Sequence, residues 1–162
     1  FFYKIVLFMK FITNPLIAGF GGFLCISLLS FLNSFSEVYI WLIPPFGASI
    51  VLIMSIHDSP LAQPKNIFFG HLLSALSGLI VLKIFGDNMF CLGLGVGLAI
   101  FVMMITKTIH PPAGANPIIV ILGGKGVSFV LLPVAVGALI IIIFAMIYNK
   151  ILGRSYPKST AS

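Results

Sequence analysis

The stretch that decides the fold is "HPPAGANPIIVIL", His110–Leu122, which places a titratable side chain, three prolines and an asparagine in an otherwise apolar chain. An earlier segment repeats its central pattern. Pro44–Ser49 reads "PPFGAS", Pro111–Asn116 reads "PPAGAN", and a shift of 67 residues superimposes the two without a gap. The same shift aligns scattered residues such as Gly70 with Gly137. We therefore interpret the chain as an internal duplication.

The composition places both motifs in a membrane. Of the 162 residues, 60% are hydrophobic and only 7% are charged, and the mean hydropathy is +1.21. A soluble domain carries far more charge than this. The sequence therefore predicts an integral membrane protein whose helices, of ~20 residues each, cross a lipid hydrocarbon core ~30 Å thick.

Six apolar segments account for most of the chain. Four are long (Pro15–Phe35, Asn66–Phe85, Asn88–Ile105 and Phe129–Tyr148), and two are shorter and broken by proline and glycine (Tyr39–Ile56 and Thr108–Leu122). The first is interpreted as a retained span and not a signal peptide. Each half reads long span, broken short span, long span, so three crossings invert the second half relative to the first. The predicted fold is an all-α polytopic transmembrane domain over 1–162, with inverted repeats at about 15–86 and 87–153 and a polar tail at 154–162.

The net charge of +6 is distributed by membrane side and forms no basic patch, which argues against a nucleic-acid partner. With six crossings, seven basic residues share a face with both termini and two lie opposite, so both termini are predicted to be cytoplasmic. If the two short segments enter the membrane and return to the same side, six basic residues lie on one face and three on the other. The arrangement with six crossings is favoured. The seven are Lys4, Lys10, Lys65, Lys107, Lys150, Arg154 and Lys158, and the two are Lys83 and Lys125.

The two broken segments carry the predicted binding site. Proline lacks an N–H and disfavours helix in the residue before it, so the paired prolines interrupt any helix there. The small residues that follow let a ligand approach closely. Ser49 and Asn116 then occupy equivalent positions, and both are good N-cap residues. The structural motif comprises Pro44, Pro45, Pro111, Pro112 and Pro117, and the predicted substrate-binding set comprises Gly47, Ala48, Ser49, His71, His110, Gly114, Ala115 and Asn116.

Two half-helices would then begin near the bilayer midplane. Helix N-termini carry unpaired N–H groups and about +0.5 of an elementary charge, which favours an anion. The alternative is that proline and glycine only kink these helices, but their duplication favours a site. The acidic residues Glu37, Asp58 and Asp87 lie in loops or at span ends, whereas cation carriers usually keep a carboxylate within the membrane. A small monovalent anion is therefore the expected substrate.

The histidines and two lysines each have more than one interpretation. His110 either donates to the anion, or carries a proton with it since an imidazole titrates near pH 6.5, or ends a helix by bonding a backbone carbonyl. His71 either contacts substrate or lies in a stripe of small residues that serves helix packing. Lys65 and Lys107 either form an anion-attracting vestibule or act as topology signals at span ends.

Motifs of known enzymes and cofactor sites are absent from the sequence. We predict no enzymatic activity, no cofactor and no metal. Cys25 and Cys91 lie in apolar spans without metal-ligand spacing and are predicted to be free buried thiols. Glycines in the first and fourth spans allow tight helix contact and are predicted to mark the surface of a homo-oligomer.

The segments "HPPAGANP" and "PPFGAS", and the loop "DSPLAQPKN" followed by "GH", resemble the HPP family of integral membrane proteins, named for the motif that here is His110–Pro112. The similarity runs from about Pro15 to Tyr148. It implies a transporter, since members in bacteria, algae and plants are regarded as transporters and chloroplast members are implicated in nitrite transport. It also implies four transmembrane helices, which fits the re-entrant alternative. The resemblance adds Ser59, Gln63, Lys65, Asn66 and Gly70 to the candidates, unless that loop is only a structural turn.

The sequence therefore predicts a homo-oligomeric channel or carrier for a small monovalent anion, with nitrite as the first candidate. Because no transit peptide is evident, a bacterial inner membrane is expected. Two other functions stay open. One is a membrane sensor or enzyme that uses His71 and His110, and the other is a scaffold subunit whose glycine-rich spans bind partner helices.

Overall fold

The chain folds into helices. A computed structural model describes residues 2–35 and 41–158, with side chains from Thr13 onward, and this described part contains no strand. The predicted all-α fold is confirmed. The helices are α1 (Phe2–Asn33), α2 (Pro44–Ser55), α3 (Pro64–Phe85), α4 (Met89–Ile105), α5 (Asn116–Leu122) and α6 (Val127–Ile151), with short 3-10 turns at Pro60–Ala62 and Pro111–Ala115 and a kink in α6 at Leu132, whose backbone angles are not helical.

Three described helices are long and apolar enough to cross a bilayer, namely Thr13–Asn33 within α1, α3 and α6. The predicted fourth long span is α4, which is shorter. Its 17 residues extend about 26 Å at ~1.5 Å per residue, slightly less than the ~30 Å hydrocarbon core. Its start agrees with the prediction, because the Asn88 side chain caps the helix by accepting a hydrogen bond from the Cys91 N–H.

The two short helical runs have the same length and lie at equivalent positions of the two motifs. The first is α2, with 12 residues from Pro44 to Ser55. The second consists of five residues of 3-10 helix followed directly by the seven residues of α5, twelve in all, from Pro111 to Leu122. Both ends of the two runs are therefore 67 residues apart, as the duplication requires. The inverted orientation of the repeats stays a prediction.

The predicted helix start at Ser49 is wrong, whereas α5 does begin at Asn116, directly after a 3-10 turn that starts at Pro111. Extended backbone ends at Ile43 and His110, which are the true N-caps, and the paired prolines form the first turn of each run. A first turn tolerates proline because its N–H groups have no intrahelical partner in any case. Ser49 lies inside α2, and Asn116 follows the 3-10 turn with helical backbone angles and caps nothing.

Glycines let the central helix α3 approach its neighbours closely. A Cβ added at Gly70 would lie 2.6 Å from His110 Cβ, and one at Gly78 would lie 2.6 Å from Pro117 Cα. On α4, a Cβ at Gly95 would lie 3.3 Å from Pro117 Cβ. Such distances leave no room for a methyl group, so these glycines fix the spacing between α3, α4 and the second motif.

Several loops meet at one end of the bundle. The Asn66 amide donates to the Ile109 carbonyl at 2.9 Å. The Tyr156 hydroxyl donates to the Ala62 carbonyl at 2.8 Å, and burial raises the pKa of this phenol, so it stays protonated. The C-terminal tail is thus packed against the loop between α2 and α3. The predicted grouping of the basic residues on one membrane face stays a prediction. The Lys4 and Lys10 side chains, Glu37 and the predicted segment start at Tyr39 lie outside the described residues.

We expect Gly78→Ala to destabilise the fold, because its methyl group would overlap Pro117. Overpacking of this kind costs about 1–3 kcal/mol. Thermal unfolding of the purified protein in detergent measures the effect. Gly93→Ala is the matched control, since a Cβ at Gly93 meets nothing within 4 Å and alanine favours helix. Equal melting temperatures for the two variants would contradict the close packing.

Candidate functional site

The centre of the site is the Ser49 hydroxyl, which lies within hydrogen-bond distance of the Nε2 atoms of two histidines from distant parts of the chain. Ser49 Oγ lies 2.8 Å from His71 Nε2 and 2.8 Å from His110 Nε2. It also lies 3.0 Å from the Pro45 carbonyl oxygen one turn earlier in α2. One hydroxyl therefore has three hydrogen-bond partners from three segments of the chain.

Asn116 occupies the other side of the His71 ring. Its Nδ2 atom lies 3.0 Å from His71 Nδ1 and 3.1 Å from the His71 carbonyl oxygen. Ser49 and Asn116 are the residues that the 67-residue shift aligns, and they bind opposite nitrogens of one imidazole. The structure thus brings the two copies of the motif together on His71. We call Ser49, His71, His110 and Asn116 the polar cluster.

The hydrogen-bond directions in the polar cluster follow from groups that only accept. Because the His71 carbonyl accepts, the Asn116 atom facing it is the amide nitrogen, and its second hydrogen points to His71 Nδ1. A neutral His71 ring then carries its proton on Nε2 and donates to Ser49. His110 Nδ1 lies 2.8 Å from the Leu61 carbonyl, so it donates there and leaves Nε2 as an acceptor for the Ser49 hydroxyl.

The polar cluster is closed off from solvent. Each of its four side chains is 0% exposed. The Phe46 ring packs edge-on against His71, with ring centroids 5.2 Å apart. Within the described part of the chain, Asn116 Oδ1 is buried and has no hydrogen-bond partner. An unpaired buried oxygen is costly, so this atom is available to a donor that enters the cluster.

The depth of the polar cluster can be measured along α3. His71 lies seven residues after Pro64, about 10 Å at ~1.5 Å per residue, in a helix of 22 residues. The cluster is thus about one third of the way along α3 from the end where the α2–α3 loop lies. It is nearer that end than the predicted midplane position.

Residues 10–157 match the family model of the HPP transmembrane region. The chain belongs to the HPP family. Curated relatives of this HPP chain include two transmembrane proteins of Dictyostelium discoideum, each 35% identical over 150 aligned positions that cover 87% of the chain. The chain spans about half the length of these relatives, 53% of one and 48% of the other. No solved structure matches it. The predicted family and the predicted integral membrane location are confirmed.

The remaining predicted site residues of this HPP protein surround the polar cluster without joining it. Gly47 and Gly114 are half-buried, and a Cβ added at either meets nothing within 4 Å, so no neighbour approaches them closely. Ala48 is exposed and Ala115 is half-buried. Close approaches occur instead at Gly70 and at other glycines within the long helices, such as Gly78 and Gly137.

The predicted vestibule residues mostly hold the loop between α2 and α3 together. The Ser59 hydroxyl accepts from the Leu61 N–H, and the Gln63 amide donates to the carbonyls of His57 and Ser59. Asn66 bonds to the Ile109 carbonyl, while Lys65 and Lys107 are exposed. These bonds fit the structural-turn interpretation of the loop.

Sequence reasoning missed two contacts, one in each copy of the motif. The Leu61 carbonyl accepts from His110, and the Pro45 carbonyl accepts from Ser49. Backbone carbonyls carry no sequence signal, so neither partner was detectable. The Ser74 hydroxyl, which donates to the Ala113 carbonyl, had been noted only as a small residue in a packing stripe.

We expect Ser49→Ala to destabilise the HPP protein by about 1–3 kcal/mol, because it leaves the His71 Nε2–H buried without an acceptor. The measurement is thermal unfolding in detergent. Ser77→Ala is the matched control, since Ser77 is a buried serine whose hydroxyl donates only to the Leu73 carbonyl of its own helix. A smaller loss of thermal stability for Ser49→Ala than for Ser77→Ala would show that the hydrogen bonds of the polar cluster do not hold the fold together.

Proposed function

We propose that this HPP protein passes a small monovalent anion across the membrane, with nitrite as the first candidate, and that the polar cluster holds the anion in transit. The observation that carries the proposal is the meeting of Ser49 and Asn116 on His71. Equivalent interrupted segments of duplicated membrane proteins often form the substrate site where they meet. Buried polar groups within a membrane also mark such pathways.

The chemistry of the polar cluster favours negative charge. Its side chains supply N–H and O–H donors, and none of their described contacts is to a carboxylate. The described acidic residues Asp58 and Asp87 are exposed in loops, whereas cation carriers usually hold a carboxylate in the membrane. An anion that enters the cluster would accept bonds from the Asn116 amide, the Ser49 hydroxyl and the His71 ring.

The donors for the anion are side chains more than backbone amides. The prolines at the start of each helical run have no N–H. The next N–H groups are occupied, since Phe46 donates to the Ile43 carbonyl and Ala113 donates to the His110 carbonyl, each at 3.0 Å. Each helix start still contributes its dipole but offers few free amides. We therefore propose that the side chains of the polar cluster, more than the helix starts, bind the anion.

Passage requires the polar cluster to open, since its hydrogen-bond donors are already occupied within it. An open, largely apolar surface cavity of about 400 Å³ lies between α2 and the Pro111–Pro112 turn, and its lining includes Ala48 and Pro111, the chain neighbours of Ser49 and His110. Its wall is formed by Ala48, Val51, Leu52, Ser55, Ile56, Pro111 and Pro112. We propose that separation of α2 from this turn exposes Ser49 and His110 to the cavity. Alternation between such states on the microsecond-to-millisecond scale is ordinary for transporters.

The expected homo-oligomer and the bacterial inner membrane with cytoplasmic termini belong to the same proposal. The face of α4 that carries Gly93 and Gly97 is exposed, and a Cβ at either position meets nothing within 4 Å. A second helix can approach such a face closely. We therefore propose α4 as the contact between copies of the chain.

The test is anion flux into proteoliposomes, with nitrite, nitrate, formate and chloride as substrates. We expect Asn116→Leu to lower nitrite flux about tenfold, the rate equivalent of losing ~1.4 kcal/mol of hydrogen bonding to the anion. His110→Ala is expected to lower it as well. Folded yield is measured in parallel by size-exclusion chromatography.

Asn149→Leu is the matched control for Asn116→Leu. Asn149 is also a buried membrane asparagine, with an amide that bonds only the Ala145 carbonyl of its own helix and an Oδ1 atom without a partner in the described residues. Equal flux losses in the two variants, or a loss of flux that only follows folded yield, would leave the cluster with a structural role. Absence of flux from the native protein would reject the proposal.

A further inference from the structure

We propose that His110 and the Ser49 hydroxyl form a binding site for one proton, which crosses the membrane together with the anion. This inference rests on the proposed anion passage and names its coupling ion. It is carried by the geometry of one hydroxyl that has two alternative acceptors, His110 Nε2 at 2.8 Å and the Pro45 carbonyl at 3.0 Å.

The hydroxyl can change its acceptor without any movement of heavy atoms. In the proton-free state, the Ser49 O–H points to the lone pair of His110 Nε2. When a proton adds to that lone pair, the unbroken O–H rotates to the Pro45 carbonyl. Ser49 Oγ then accepts from both rings, which uses its two lone pairs, while His110 Nδ1 keeps its bond to the Leu61 carbonyl. Every donor has an acceptor in both states.

His71 has no such freedom. Its Nδ1 accepts from the Asn116 amide, and a proton there would face another N–H donor. Rotation of the amide would place its oxygen against the His71 carbonyl oxygen, which cannot donate. The bonding pattern therefore assigns the proton to His110 and leaves His71 as the fixed bridge between the two motifs.

The surroundings of His110 allow a single positive charge. The titratable group that faces it is His71 on α3, with ring centroids 5.0 Å apart. The α2 helix presents Ser49 and the α2–α3 loop presents the Leu61 carbonyl. The charged residues nearest in sequence, Asp58 and Lys65 at the α2–α3 loop and Lys107 before His110, are all exposed. Two adjacent cationic rings would repel each other strongly at low dielectric, so the site holds one proton.

Proton and anion then favour each other's binding. A charged His110 attracts the anion, and linkage requires that the bound anion raise the affinity of His110 for the proton by the same factor. One proton with one monovalent anion has no net charge. The transport step is therefore expected to be electroneutral, which differs from a channel or uniporter that carries the anion alone.

The experiment uses the native chain in proteoliposomes with an internal pH dye and a potassium–valinomycin clamp. Nitrate is the main probe and nitrite the second, and protein-free vesicles measure leakage of the undissociated acids. We expect inward anion flux to acidify the lumen by one proton per anion and to be unchanged when the clamp imposes a negative interior. Anion flux that is driven by potential and leaves the lumen pH unchanged would overturn the proton site while leaving the proposed function intact. Absence of any anion flux would instead reject the proposed function.

Two variants assign the proton to His110. His110→Gln retains a hydrogen-bonding group near the Nε2 position, and His110→Asn retains one near Nδ1 beside the Leu61 carbonyl, but neither side chain titrates. Calorimetry of anion binding in two buffers of different ionisation enthalpy counts the protons taken up per anion bound. We expect about one proton per anion for the native protein and for Asn149→Leu, and no proton uptake for whichever His110 variant folds. Uptake of a full proton by either folded variant would overturn the assignment.

Discussion

The hydrogen bonds from His71 to the two motif copies are the interaction on which the rest of the structure depends. One ring nitrogen meets Ser49 and the other meets Asn116. In hydrocarbon a polar side chain without a partner is costly, so each copy of the motif depends on the other through this ring. The two copies of the motif are thereby joined through one buried imidazole ring. The proposed transport site is this junction.

The paired prolines make that junction possible. A helix that begins inside a membrane exposes N–H groups that lipid cannot satisfy. In both runs the first two residues have no N–H, and the next N–H bonds the carbonyl of the N-cap. The prolines therefore allow a helix to start in a buried place at little cost. The same feature removes the amides that would otherwise attract an anion, and polarity is concentrated in four side chains.

Glycines set the distances on which those four side chains depend. The Gly70 backbone lies against His110, which holds that ring within reach of Ser49. The Gly137 position lies against the Phe46 ring, which in turn packs on His71. A cluster in which one hydroxyl serves three partners tolerates little displacement, because hydrogen bonds weaken steeply beyond ~3.2 Å. The close packing of the helices at these glycines therefore also sets the hydrogen-bond distances within the polar cluster.

The sequence by itself determined the membrane location, the family, the long helices and the equivalence of the two motifs, because composition, hydropathy and the repeated proline pair are local properties of the chain. It also identified Ser49, His71, His110 and Asn116 as candidates. Only the tertiary structure decided that these four form one cluster, that the two short helical runs begin at Pro44 and Pro111, and that His110 bonds the Leu61 carbonyl. Local patterns do not specify which buried partner a polar group finds, since that depends on how helices distant in sequence pack together.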